Sequence, residues 1–228
     1  MPNSLLPIIF LIFMGMISCS SSNVLSEQDY YLAGKEAVRD TDYKEIRKNF
    51  KDLESHYPTS KHLSEARFAI AESYLDQGEL DDAILEFQRF LNYHPNNEKT
   101  PDALLGLGKS YSNQVDDYEL DQTFTRKAIK VFRRLAREYP GTPQAGEGKE
   151  KETGCRLLLA EHEKAIADFY HRIGAYNSAI TRYRELIINY PETEVIEDTY
   201  LKLADSYRSL GSRAEAAEIL KLAGQKKR

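Results

Sequence analysis

Small and large apolar residues recur along this chain in one order, at one spacing. In RFAIAESYLDQGELDDAILEFQRFLNYHP, residues 67–95, a small residue (Ala71) is followed three places on by an aromatic (Tyr74). Then come a glycine (Gly78), a second small residue (Ala83), an aromatic (Phe87) and a proline (Pro95). EKAIADFYHRIGAYNSAITRYRELIINYP, residues 163–191, aligns with it without a gap: Ala167, Tyr170, Gly174, Ala179, Tyr183 and Pro191 take the same places. A further copy supplies Ala204, Tyr207, Gly211, Ala216 and Leu220. Small-then-large at a spacing of three lies on one face of a helix. Each copy therefore predicts two helices, with glycine ending the first and proline stopping the second. Small residues let two helix axes approach closely while the aromatic fills the groove beside them. One hairpin cannot bury its own apolar stripe, so the copies must stack.

Two weaker copies extend the array. The first carries Gly34, Phe50 and Pro58, and the third carries Gly108 and Tyr111, resuming at Ala128, Phe132 and Pro140 after an insertion over 113–124. Residues before the fourth copy contain no proline between Pro143 and Pro191, which predicts one long first helix. Gly146, Gly148 and Gly154 predict fraying at its start. The succession resembles the tetratricopeptide repeat. The expected fold is all-α: a right-handed α-solenoid of five tetratricopeptide-like hairpins at about 27–58, 60–95, 98–140, 143–191 and 194–224. Scarce glycine and proline, 12 and 8 in 228 residues, agree with helices rather than a β-sandwich.

The amino terminus breaks the pattern. LLPIIFLIFMGMI, residues 5–17, is uncharged and almost wholly apolar. It is shorter than the roughly 20 residues a membrane span needs, and reads as a signal-peptide core. MISC follows and resembles a lipobox. The expectation is a lipoprotein signal at 1–18, acylation of Cys19 as the covalent lipid, a linker over 19–26 and a repeat domain over 27–224. Ser20 after the cysteine implies the outer membrane. The second cysteine, Cys155, then has no partner, and a disulfide framework is excluded.

Charge and chemistry narrow the function. A net charge of −5 disfavours nucleic acid. HEKAI at His162 begins like a zinc-protease motif, but Ile166 stands where the second histidine belongs. No phosphate loop, dinucleotide turn or nucleophile elbow is present. These readings predict no enzyme, no metal and no cofactor. RKAIKVFRRLAR, residues 126–137, has six cations and no acid. Its Lys127, Lys130, Arg134 and Arg137 fall near one face, a candidate strip for an acidic partner or lipid phosphates. A solvated face balanced by a neighbouring hairpin is the plainer alternative. Arg182 and Arg184 flank Tyr183 in the fourth copy, and Arg182, at a non-packing position, could meet a partner carboxylate.

Five repeats, an insertion in the third, a long helix opening the fourth and a lipoprotein signal together resemble the BamD family. These are lipoproteins of the machine that assembles β-barrels in the outer membrane. EHEKAIADFYHRIGAYNSAITRYRELIINYPETEVIEDTY, residues 161–200, carries the likeness most closely. The resemblance implies a binding scaffold on the periplasmic face. Its last repeats would dock on a POTRA domain of a BamA-like barrel subunit, with Arg182 in the contact, beside other lipoproteins of the complex. Its first repeats would receive the C-terminal signal of unfolded outer-membrane proteins at Tyr57 and Pro58. A packing role serves Tyr57 equally well, since an aromatic or histidine precedes proline at the end of every repeat but the last. A client that must leave again suits micromolar affinity, about −8 kcal/mol. The competing scaffold is a repeat lipoprotein of cell-wall synthesis or division.

Overall fold

The computed structural model describes residues 24–115, 117, 118 and 121–226. The signal sequence and Cys19 lie outside the described residues. Among the described residues ten helices form five consecutive hairpins. These are α1 (Glu27–Arg39) with α2 (Tyr43–His56), α3 (Leu63–Asp76) with α4 (Leu80–Tyr93), and α5 (Thr100–Ser112) with α6 (Thr123–Glu138). The fourth pairs α7 (Pro143–Arg172) with α8 (Tyr176–Asn189), and the fifth α9 (Ile196–Ser209) with α10 (Arg213–Lys226). Each helix packs on the next. First helices also touch across hairpins, α1 to α3, α3 to α5, α5 to α7 and α7 to α9, and no described pair further apart along the chain meets. That contact pattern is a solenoid, in which each unit is stabilised by its neighbours.

Local chemistry sets the helix ends. Ser26 accepts from the amide of Asp29 at 3.2 Å, Asp42 from Glu45 at 3.1 Å and Thr142 from Ala145 at 3.2 Å, each satisfying an otherwise orphaned donor. Pro143 follows Thr142 at a position that needs no amide. Gly78, Gly174 and Gly211 turn the second, fourth and fifth hairpins at φ 75°, 79° and 80°, the left-handed region that glycine enters freely.

Gly34 and Gly108 do something else. Both lie inside first helices, not at their ends. A Cβ on Gly34 would stand 2.3 Å from Phe50, and one on Gly108 would stand 2.3 Å from Phe132. They hold the place that Ala71 and Ala167 hold elsewhere, the small residue beneath the aromatic. In the first hairpin the turn falls to Thr41, at φ 56°. Phe87 wedges between hairpins as well: a Cβ on Gly106 of the next first helix would lie 2.3 Å from its ring.

The fraying expected at the start of α7 is corrected. The helix is continuous from Pro143, and Gly148 is buried where a side chain would press on Leu135 at 3.0 Å. Close packing and the Thr142 cap outweigh a glycine cost of about 1 kcal/mol per residue.

The core follows the repeat. Phe50, Phe87, Phe132 and Tyr183 are almost wholly buried, as are the small partners Ala71, Ala83, Ala167 and Ala179. Cys155 is buried among them, and burial pushes its thiol up to about 11, which keeps it protonated and inert. The insertion in the third hairpin is tied down by Gln122, 1% exposed. Its amide donates to the Asp117 carbonyl at 3.0 Å, and its carbonyl accepts from Thr125 at 2.8 Å. His162 on α7 donates from Nδ1 to the Tyr118 carbonyl at 2.6 Å, so the insertion is fastened to the fourth hairpin.

Candidate interaction surfaces

The fourth hairpin builds its surface from the inside. Tyr183 points inward, and its hydroxyl donates to Asp168 on α7 at 2.5 Å. Burial and that carboxylate both push the phenol well above its usual range. Lys164 lies 2.8 Å from Asp168 and 2.7 Å from Asp198, so one ammonium joins α7 to α9. Burial opposes its charge, but the two carboxylates prevail and raise its pKa.

Arg182 and Arg184 flank this anchor without forming one site. Two residues apart on a helix, they face different ways. Arg182 reaches Glu163 at 3.6 Å and Glu185 at 3.7 Å and remains 43% exposed. Contacts that long in water hold a side chain weakly, about 0–1 kcal/mol. Arg184 is exposed.

Tyr57 is engaged inside the protein. Its hydroxyl donates to the Leu25 carbonyl at 2.9 Å, its ring lies 6.4 Å from that of Tyr30, and it packs on the first core cluster. The end of the first hairpin thus holds the segment that leads back toward Cys19. Pro58 is exposed.

The basic strip divides. Lys127 sits 4.8 Å over the ring of Phe124 and 5.5 Å over that of Tyr111. Arg134 and Arg137 share Glu138, at 2.8 and 3.0 Å. Lys130, with Lys127 beside it, opens onto a groove of about 540 Å³ between α6, α7 and the end of α8. Arg126 and Arg133 join it from α6, Arg156 and Leu159 from α7, and Tyr190 from the end of α8. The sequence reading missed Arg126, Arg133 and Arg156 as a group. The spacing of 126, 130 and 133 on one helical face was a legible signal, whereas Arg156 comes from another helix.

A second groove, of about 360 Å³, runs over first helices: Glu72 and Asp76 of α3, Asp102 and Lys109 of α5, Gln144 and Glu147 of α7. Gln144 donates to Asp102 at 2.8 Å, and Lys109 pairs with Glu147 at 2.6 Å. The wall is polar and already cross-linked between hairpins. Among the described residues no group of histidine, cysteine or carboxylate side chains is placed to hold a metal. His162 and His171 are occupied by the Tyr118 carbonyl and by Asp205. No described helix is long and apolar enough to cross a membrane.

Comparison with known proteins adds to this geometry. The model of the YfiO family, described as outer membrane lipoprotein, matches residues 24–222. The outer membrane protein assembly factor BamD of Neisseria meningitidis serogroup A is 26% identical over 203 residues, 85% of this chain and 76% of that protein. BamD of Vibrio cholerae is 27% identical over 169 residues, 70% of each chain. Among solved structures, a tetratricopeptide repeat protein from Parabacteroides merdae covers 87% of this chain and 79% of its own at 16% identity, TM-score 0.44. A thermophilic tetratricopeptide repeat protein from Thermus thermophilus covers 79% and 98% at 18% identity, TM-score 0.44.

Proposed function

We propose a function from one premise: the chain belongs to the YfiO family of outer membrane lipoproteins. It is an outer-membrane protein assembly factor, a non-enzymatic scaffold held at the periplasmic face through a lipid on Cys19. The observation that carries this reading is the family match, which runs over 24–222 and so takes in nearly the whole solenoid. The fold is suited to the task, since stacked hairpins present long surfaces for other chains and need no cofactor.

In this reading the fourth and fifth hairpins dock on a POTRA domain of a BamA-like barrel subunit. Arg182 supports the assignment by its availability. Its contacts at 3.6 and 3.7 Å are loose and half in water, so a partner carboxylate offering the shorter two-pronged geometry of a guanidinium pair would displace them. The rigid Tyr183–Asp168–Lys164 network beneath gives that side chain a fixed base. Unfolded outer-membrane proteins are received by the first hairpins. Because Tyr57 already holds Leu25, client contact there falls to the exposed Pro58 and the first-helix wall. Tyr57 then acts indirectly, by fixing the linker between solenoid and anchor.

Two measurements test the reading. Affinity purification from detergent-solubilised membranes is expected to recover the barrel subunit, and Arg182→Glu to lower that recovery about tenfold while the melting curve stays unchanged. Recovery of cell-wall enzymes in its place would overturn the assignment. Cys19→Ala is expected to move the protein from the membrane to the soluble fraction. Full membrane retention of that variant would refute the lipid anchor.

A further inference from the structure

The groove between α6, α7 and the end of α8 belongs to neither surface just assigned, and its chemistry is specific. Five cations line it, Arg126, Lys127, Lys130, Arg133 and Arg156, in a protein whose net charge is −5. Its floor is apolar, with Ile129 and Leu159 both buried. Tyr190 closes one side, and the Arg156 guanidinium lies 5.1 Å over its ring. Burial raises the pKa of Tyr190 even though the guanidinium groups of Arg126, Arg156 and Arg133 all act on it in the other direction. Arg156 covers the aromatic wall, and Arg126 and Arg133 line the same groove.

The cations differ in what they still have to give. Arg133 is paired with Glu152 at 2.7 Å. Arg156 is paired with Glu192 and also donates to the Asn189 carbonyl at 2.6 Å. Lys127 is drawn over Phe124. Arg126 and Lys130 are exposed and, among the described residues, have no hydrogen bond, ion pair or ring contact. They stand one helical turn apart, a rise of about 6 Å. In an extended chain, residues two apart project to the same side at a separation of about 6.6–6.8 Å. The two spacings match.

We infer that this groove binds an extended acidic polypeptide segment. Carboxylates at alternate positions would meet Arg126 and Lys130, while a neighbouring apolar side chain would rest on Ile129 and Leu159. A polypeptide fits better than a lipid surface for two reasons. The site is a recess walled by three helices, not a raised basic face. Its rim also carries Glu152 and Glu192, which a uniformly anionic sheet would meet and a threaded segment passes between.

The full chain answers the question in a binding titration. The probe is a fluorescein-labelled peptide that alternates glutamate with threonine around one central leucine, alongside its glutamine counterpart and vesicles of phosphatidylglycerol. The glutamate peptide is expected to bind at micromolar concentration in low salt and to weaken as salt rises. It should bind at least tenfold tighter than the glutamine peptide. The double variant Arg126→Glu/Lys130→Glu is expected to lose at least tenfold in affinity with its melting temperature unchanged, since both side chains are exposed and, among the described residues, unpaired. Arg134→Glu, outside the groove, is expected to bind as the parent does. Equal binding by the double variant overturns the inference. So does a lack of discrimination between the two peptides, or vesicle binding that the double variant abolishes while the peptide is not bound. Recovery of the barrel subunit is read separately through Arg182, so the two proposals fail independently.

Discussion

Replacing Gly108 by alanine is expected to cost about 2–3 kcal/mol, although alanine is ordinarily the better helix former by about 1 kcal/mol. The sign reverses because of a single distance. A Cβ at 108 would lie 2.3 Å from the Phe132 ring, and that ring, 1% exposed, has nowhere to withdraw. Interiors this dense relieve such a clash only by moving helices apart. For a protein of this size the melting temperature is expected to fall by roughly 4–12 °C. The companion variant Gly108→Ala/Phe132→Leu should recover part of the loss, since the smaller side chain vacates the space. A double-mutant cycle reads the coupling. Strictly additive effects would show that the two residues do not meet. Gly34 beneath Phe50 is built alike and is expected to respond alike.

Tyr183→Ala is expected to cost about 3–5 kcal/mol, the usual range for deleting a buried aromatic. Tyr183 is fully buried and fills the crossing between Ala167 and Ala179. It differs from Phe50, Phe87 and Phe132 at the corresponding places by its hydroxyl, which donates to Asp168. Tyr183→Phe is therefore expected to cost less, about 1–2 kcal/mol, because Asp168 keeps Lys164 and partial contact with water. Denaturant melts of the two variants separate the packing contribution from the hydrogen bond. Hydrogen exchange should localise the loss to α7, α8 and α9, since a solenoid loosens unit by unit. A phenylalanine variant as unstable as the alanine one would mean that the hydroxyl, not the ring, holds the crossing.

These two residues also show how far the chain can be read as a string. The pairs Ala71–Phe87 and Ala167–Tyr183 are visible because period, residue size and terminating glycine all agree. In the first and third hairpins the same glycine symbol carries another meaning. Gly34 and Gly108 prove to be the small half of the packing pair, inside their helices. A glycine that supplies positive φ and a glycine that supplies empty space are identical letters, and only the neighbour across the crossing separates them. Thr41 hid the true turn of the first hairpin, because a β-branched residue is the last one expected at φ 56°.

The surfaces were legible only in part, for the same reason. The non-packing position of Arg182 was readable from the repeat, but its loose hold on Glu163 depends on how α8 lies against α7. The strip over 126–137 announced its charge in the sequence. Arg134 and Arg137 turn to Glu138, and Lys127 to Phe124, on their own helix, but the loss of Arg133 to Glu152 depends on α7, which the strip does not contain.

The sequence by itself determined the class of this protein: helical hairpins, their number, and the alternation of small and bulky residues that makes them stack. That information is periodic and local, and each copy repeats it. The tertiary structure alone decided which glycine turns and which packs, that Tyr57 grips Leu25, and that Arg156 joins Arg126 and Lys130 around one recess. Those relations hold between residues on different helices, and stacking sets the distances among them. A pattern along one helix carries no record of what the next helix brings beside it.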